Sequence, residues 1–142
     1  MFGLFGKRNN VDLAFKQWVL AVFQEQLNTA NYLVTQKGLD IDLSPDAFIG
    51  GYLSGLVDGS FQRAGEAENR ERVLATTKSV FIEIYQEVSG ESFFNMVVTG
   101  LVQESPDYVE PYLQALKDHE YHQQTKSMPG SLGRHIATKS GW

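Results

Sequence analysis

His119 and His122 stand three residues apart in a stretch of helical periodicity, with Asp118 and Glu120 beside them. That spacing puts two imidazoles on one side of a helix, where they could begin a metal site. A site needs a third or fourth ligand, and no Glu-x-x-His pair on another segment supplies one. His119 and His122 are therefore read as a solvated helix end and kept as metal candidates only, with no cofactor implied. Glu83 and Glu87 lie one turn apart and could act as an acid–base pair, but they fall on the polar face of their predicted helix, where charge keeps a helix solvated. Asp58 is the one acid between Asp46 and Glu66. A carboxylate with no partner in sequence is expected to face solvent or cap a backbone. The serines form no G-x-S-x-G elbow, and the glycines form neither a Walker loop nor a dinucleotide fingerprint.

A denser signal is the run of small residues Gly50, Gly51, Ser54, Gly55, Gly59 and Ser60 inside a predicted helix. Each interior glycine costs about 0.5–1 kcal/mol relative to alanine, so something should offset the cost. Gly51, Gly55 and Gly59 fall one turn apart on one face, where absent side chains let another backbone come close. The first expectation is packing against helix one or helix three of the same chain. A homodimer seam and a pocket floor are the other two readings of the strip.

These residues need elements to hold them. Apolar residues recur at helical spacing from Val11 to Val34, in two stripes, with Asn9 or Asn10 placed to cap the start and Gly38 to end it. Leu39 to Leu43 alternates apolar and acidic residues but has no partner strand elsewhere, so it is read as a loop. Ser44, Pro45 and Asp46 read as cap, first helical residue and dipole-matched acid of a second helix, ending near Arg63. A third helix is expected over 66–88, leaving Arg70 and Arg72 for solvent, with Ser89 and Gly90 breaking the chain. A fourth follows over 92–103. A fifth opens at Ser105 and runs to about Gln124, kinked at Pro111, whose nitrogen cannot bond back to residue 107.

The expected architecture is thus an all-α, single-domain bundle of about five helices. Residues 1–9 form an apolar and basic head (Phe2, Leu4, Phe5, Lys7, Arg8), 10–124 the helical domain, and 125–142 a flexible tail with little apolar mass. At 142 residues the chain can bury a core without staples, and it has no cysteine to form disulfides or thiolate sites. The head places its charges after its apolar residues, the reverse of a signal peptide, and the longest apolar run, Trp18 to Phe23, falls far short of the roughly 20 residues of a membrane span. A cytoplasmic location is expected, with at most weak membrane-surface association of the head.

Net charge is −5, but residues 125–142 hold Lys126, Arg134 and Lys139 and no acid, so the rest of the chain carries −8. A body that acidic repels phosphate backbones, which disfavours nucleic acid as a partner. The reading that follows is a non-enzymatic interaction or regulatory protein, self-associating or bound to a protein partner through Gly51, Gly55, Gly59 and Trp142. The alternative is a small-molecule or metal-binding helical protein, an enzyme included, with a pocket between helices two and five.

Overall fold

A helix that is buried on all sides needs no polar face, and one segment of this chain meets that description. In the computed structural model, which describes the backbone of residues 2–142 and the side chains of residues 10–142, the helix Ala47–Arg63 buries thirteen consecutive residues, from Ile49 to Phe61. The described residues form six helices and no strand: α1 (Phe2–Thr35), α2 (Ala47–Arg63), α3 (Arg70–Tyr85), α4 (Glu87–Val102), α5 (Pro106–Thr125) and α6 (Ser131–Lys139). Every other helix packs on α2, which is the axis of the core. Among the described residues no helix is long and apolar enough to cross a membrane.

The glycine strip is what lets α5 approach. A Cβ on Gly51 would fall on the carbonyl oxygen of Tyr108 and within 2.9 Å of the Pro111 ring. On Gly55 it would fall on the carbonyl oxygen of Tyr112 and 2.7 Å from Ala115 Cβ, and on Gly59 3.1 Å from the His119 ring. Contacts climb both helices in the same direction, so α2 and α5 run parallel, backbone against backbone. The strip thus packs within the chain, but on the fifth helix rather than the first or third. With α5 seated on them, Gly51, Gly55 and Gly59 are buried and present no seam to a second copy. Pro111, where a kink is expected, lies inside the single helix α5, its ring fitted to the gap at Gly51.

Several boundaries move for local reasons. Backbone helix runs through Asn9 and Asn10 to Phe2, so neither asparagine caps α1; the side chains of the 1–9 head lie outside the described residues. Gly38, at φ +67°, ends the turn after α1 as expected. Asp46, not Ser44, caps α2, accepting from Ile49 N at 2.8 Å, because the helix starts at Ala47 and Asp46 is the residue just before it; the Ser44 hydroxyl donates to Asp42 instead, at 2.6 Å. The third helix ends at Gln86, whose φ of +74° breaks the chain three residues before Ser89. Gly90 is no breaker: it lies in α4 where a Cβ would be 2.6 Å from the Phe81 carbonyl oxygen, which lets α3 and α4 close on each other.

The expected flexible tail is overturned. Residues 131–139 form α6, which buries Leu132, Gly133, Ile136 and Ala137 against α1 and α2. Gly133 N donates to Gln26 Oε1 at 2.9 Å. Asp46 Oδ2 holds the other side of α6, taking His135 Nε2 at 2.8 Å and Lys139 Nζ at 2.9 Å. Trp142 lies beyond, 43% exposed, with Lys37 Nζ 5.3 Å from the centre of its ring. Leu132 and Ile136 are fully buried, and burying such a side chain stabilises by about 1.5–3 kcal/mol.

Two outcomes test this packing. Gly55→Leu should lose about 1–3 kcal/mol in denaturant unfolding, by the same amount at widely separated protein concentrations, because overpacking against α5 outweighs the gain of about 0.5–1 kcal/mol in helix propensity. Ile136→Ala should cost about 2–5 kcal/mol. Unchanged stability on removal of residues 127–142 would return the tail to its expected flexible state.

Candidate functional site

Two polar residues on buried α2, Ser54 and Asp58, lie one turn apart beside the glycine strip and share one cavity. Its volume is about 320 Å³. Val73, Leu74 and Thr77 of α3, Val98 and Leu101 of α4, and Val109, Tyr112 and Leu113 of α5 form its walls, with Arg70 and Glu104 also in its lining. The cavity follows from the packing: α5 is drawn onto α2 by glycines and α3 is drawn onto α4 at Gly90, leaving room where α3 and α5 flank α2 without an extensive mutual contact.

Asp58 is 3% exposed, not solvent-facing as expected, and both its carboxylate oxygens accept hydrogen bonds. Oδ1 accepts from Arg70 Nη1 at 2.9 Å and Oδ2 from Arg70 Nη2 at 3.2 Å, a two-pronged pair. The Tyr112 hydroxyl donates to Oδ2 as well, in a short hydrogen bond. Arg70 is the first residue of α3, and its Nη1 also donates to the carbonyl of Ala67. Its guanidinium is stabilised as a cation first by the hydrogen bonds to Asp58. Burial, then the hydrogen bond to Asp58, raises the Tyr112 hydroxyl well above its ordinary value, so it stays a donor. The clasp therefore ties α2, α3 and α5 with a fixed proton on each donor.

Ser54 differs. Its residue is 6% exposed and its hydroxyl has no hydrogen-bond partner. The neighbouring buried hydroxyls are satisfied: Ser60 Oγ donates to Leu56 O at 3.0 Å and Thr77 Oγ1 to Val73 O at 2.8 Å. An unmade buried hydrogen bond costs about 1–3 kcal/mol, and the Ser54 oxygen is closed off by its neighbours, so this cost is internal to the packing beside the cavity.

The other sequence candidates fall elsewhere. His119 is buried rather than solvated, because it packs against Gly59 and edge-on to Trp18, ring centres 4.9 Å apart. His122 flanks the same indole at 5.4 Å. No group of three or more His, Cys, Asp or Glu is gathered for a metal among the described residues, so the pair finds no third ligand there. Glu83 and Glu87 are separated by the break at Gln86 and belong to α3 and α4; Glu83 pairs with Lys16 at 3.5 Å. Arg72, expected in solvent, bridges Asp12 and Glu66 at 2.6 and 2.8 Å, fastening α3 to α1. Sequence reading missed Arg70, Tyr112 and the meaning of Ser54; the one local signal was two polar residues a turn apart in an otherwise apolar helix.

The architecture is that of an all-helical protein built around one buried helix, with a small, largely apolar cavity at its side. Compared with protein families, with curated proteins and with solved structures, the chain finds no match in any of the three.

Two measurements check the electrostatics. Ser54→Ala should raise the stability of the ligand-free protein by about 1 kcal/mol, since it removes an unpaired polar group, while Ser60→Ala, which breaks a made hydrogen bond, should not. Burial first, then His122 and Arg63, holds His119 below its ordinary pKa. The unfolded chain therefore takes up this proton more readily than the folded one, and stability should fall as pH drops through about 6.5. Burial would raise Asp46, but hydrogen bonds from His135, Ile49 N and Lys139 outweigh it and hold the carboxyl far below its usual range. Its contribution is present above about pH 4 and lost below. His119→Gln should flatten the unfolding free energy between about pH 7 and 5, and Asp46→Asn should remove the loss below about pH 4. A slope above pH 5 that His119→Gln leaves untouched would contradict the first assignment.

Proposed function

We propose that this protein binds a small, mainly apolar molecule in the cavity between α2 and α5, closed by α3 and α4. The observation that carries this reading is a cavity of about 320 Å³ with largely apolar walls, to which four helices contribute. Small-molecule sites combine apolar walls with a few placed polar groups, and their volumes begin at about 300 Å³. The Asp58–Arg70–Tyr112 clasp supports the same reading by holding three of the four walls in register. Leu74 and Leu113 line the cavity and are 39% and 49% exposed, giving its mouth an apolar part beside the exposed Arg70 and Glu104.

A protein-interaction role keeps one specific observation in its favour. Val88 and Met96 on α4 are 83% and 58% exposed, and the stretch between Lys78 and Lys117 is acidic, with Glu83 and Glu91 paired to Lys16 and Lys78 and Glu87, Glu104, Asp107 and Glu110 in no ion pair among the described residues. An acidic segment with exposed apolar residues suits a basic amphipathic segment of a partner protein. Self-association through the glycine strip has lost its support.

The test of the cavity is a ligand-observed NMR screen of small aromatic and aliphatic fragments against the intact chain and Leu113→Trp. Filling the cavity from its rim should abolish fragment binding with little change in Tm. Fragments that bind the variant as they bind the native chain would place the site elsewhere.

A further inference from the structure

Packing leaves one face of α4 uncovered. Two clefts of about 420 and 460 Å³ overlap on it, sharing Ser92, Met96 and Tyr108. From Val88 to Gln103 the α4 residues that line them form one stripe, so the two make a single trough about 22 Å long, or four helical turns. A Cβ on Gly100 would collide with the Tyr108 ring, and its absence lets that ring lie close against α4. Phe93 is buried in the trough, while Val88 and Met96 stand exposed along it. At Asp46 and Ala47 the trough meets a third cleft, lined by Asp107 and Glu110 of α5.

We infer that a basic amphipathic helix of a partner protein docks in this trough, its apolar face on Val88, Met96 and Tyr108 and its lysines or arginines toward Glu87, Glu104, Asp107 and Glu110. The inference deepens the interaction reading above, on which it rests, and is independent of the cavity beside Asp58. Charge chooses the partner. No lysine or arginine lines the three clefts, and the nearby His135 and Lys139 are both given to Asp46, whose charge is thus answered within the chain. Glu87 precedes Val88, Glu104 stands between Gln103 and Ser105, and Asp107 and Glu110 line the third cleft; all four are exposed. Glu87 and Asp107 also suit the first turns of α4 and α5, but Glu104 lies just past the C-terminus of α4, where the helix dipole disfavours an acid. A cation from outside would offset that cost. The walls are helices whose backbone groups bond internally, so an extended peptide would find no backbone partners there, whereas a helix brings its own.

Fluorescence polarisation on the full chain tests this with a labelled peptide of about 18 leucines and lysines patterned as an amphipathic helix. A scrambled peptide of the same composition, lacking an apolar face, should bind about tenfold more weakly. The joint substitutions Glu104→Gln, Asp107→Asn and Glu110→Gln should weaken binding of the patterned peptide about tenfold. Glu25→Gln, Glu68→Gln and Glu71→Gln together remove as many exposed charges outside the clefts and should change it less than about twofold. Met96→Gln, a single exposed change, should weaken it severalfold and keeps the test readable if a triple variant melts early. Equal losses from the two triple variants, or no preference over the scrambled peptide, would overturn the trough as the docking site and leave the interaction reading to another surface. Binding of neither peptide would remove the interaction reading itself, with the small-molecule cavity untouched. A native chain that sediments as a dimer and turns monomeric in Met96→Gln would give the trough to a second copy and overturn the partner helix.

Discussion

The contact between α2 and α5 is the constraint on which the rest of the structure depends. Three glycines at one-turn spacing bring the backbone of α2 against the carbonyls of Tyr108 and Tyr112, closer than any side chain permits. Two helices that close act as one unit, and their joint position decides where Tyr112 meets Asp58 and where His119 meets Trp18. The cost of glycine in a helix interior is offset here by contact over the length of the pair. Proline follows the same logic, since the gap at Gly51 accepts the Pro111 ring that a side chain there would exclude.

Burying α2 on every side gives each of its polar groups only internal partners. Asp58 is met by a bidentate arginine and a tyrosine, and Ser60 by a carbonyl one turn back. Such a pair is costly to break from one side, because the remaining charge would be buried alone. Ser54 stands outside this pattern, and it does so where the packing leaves a cavity. Among the described residues His122 Nδ1 is likewise buried without a partner, so the packing leaves such a cost in more than one place.

A second carboxylate, Asp46, joins secondary and tertiary structure in one group. One oxygen caps α2 at Ile49 N while the other receives His135 and Lys139 of α6. The start of the central helix and the seat of the last helix are thereby coupled, and burial of Leu132 and Ile136 completes the attachment. The basic residues of the last segment that look like a loose positive tail in sequence are in part the ligands of this acid.

Helical period, which is a local property, was legible in the sequence: the all-helical class, the long first helix ending near Gly38, the loop over 39–43 and the small-residue face of α2 all follow from spacing within a few turns. The strip at Gly51, Gly55 and Gly59 announced a close approach, yet the identity of the approaching helix depends on how the chain folds back, which no local pattern encodes. Residues 131–139 show why α6 was illegible: nine residues make a marginal helix alone, and only the faces of α1 and α2 supply the apolar surface that Leu132 and Ile136 need. Asp58 read as a lone acid because Arg70 and Tyr112 stand twelve and fifty-four positions away, and the unpartnered hydroxyl of Ser54 exists only once every neighbour's partner has been placed. Spacing along the chain thus determined which segments are helices, and the three-dimensional pairing of distant residues decided which polar groups are satisfied and where a cavity is left.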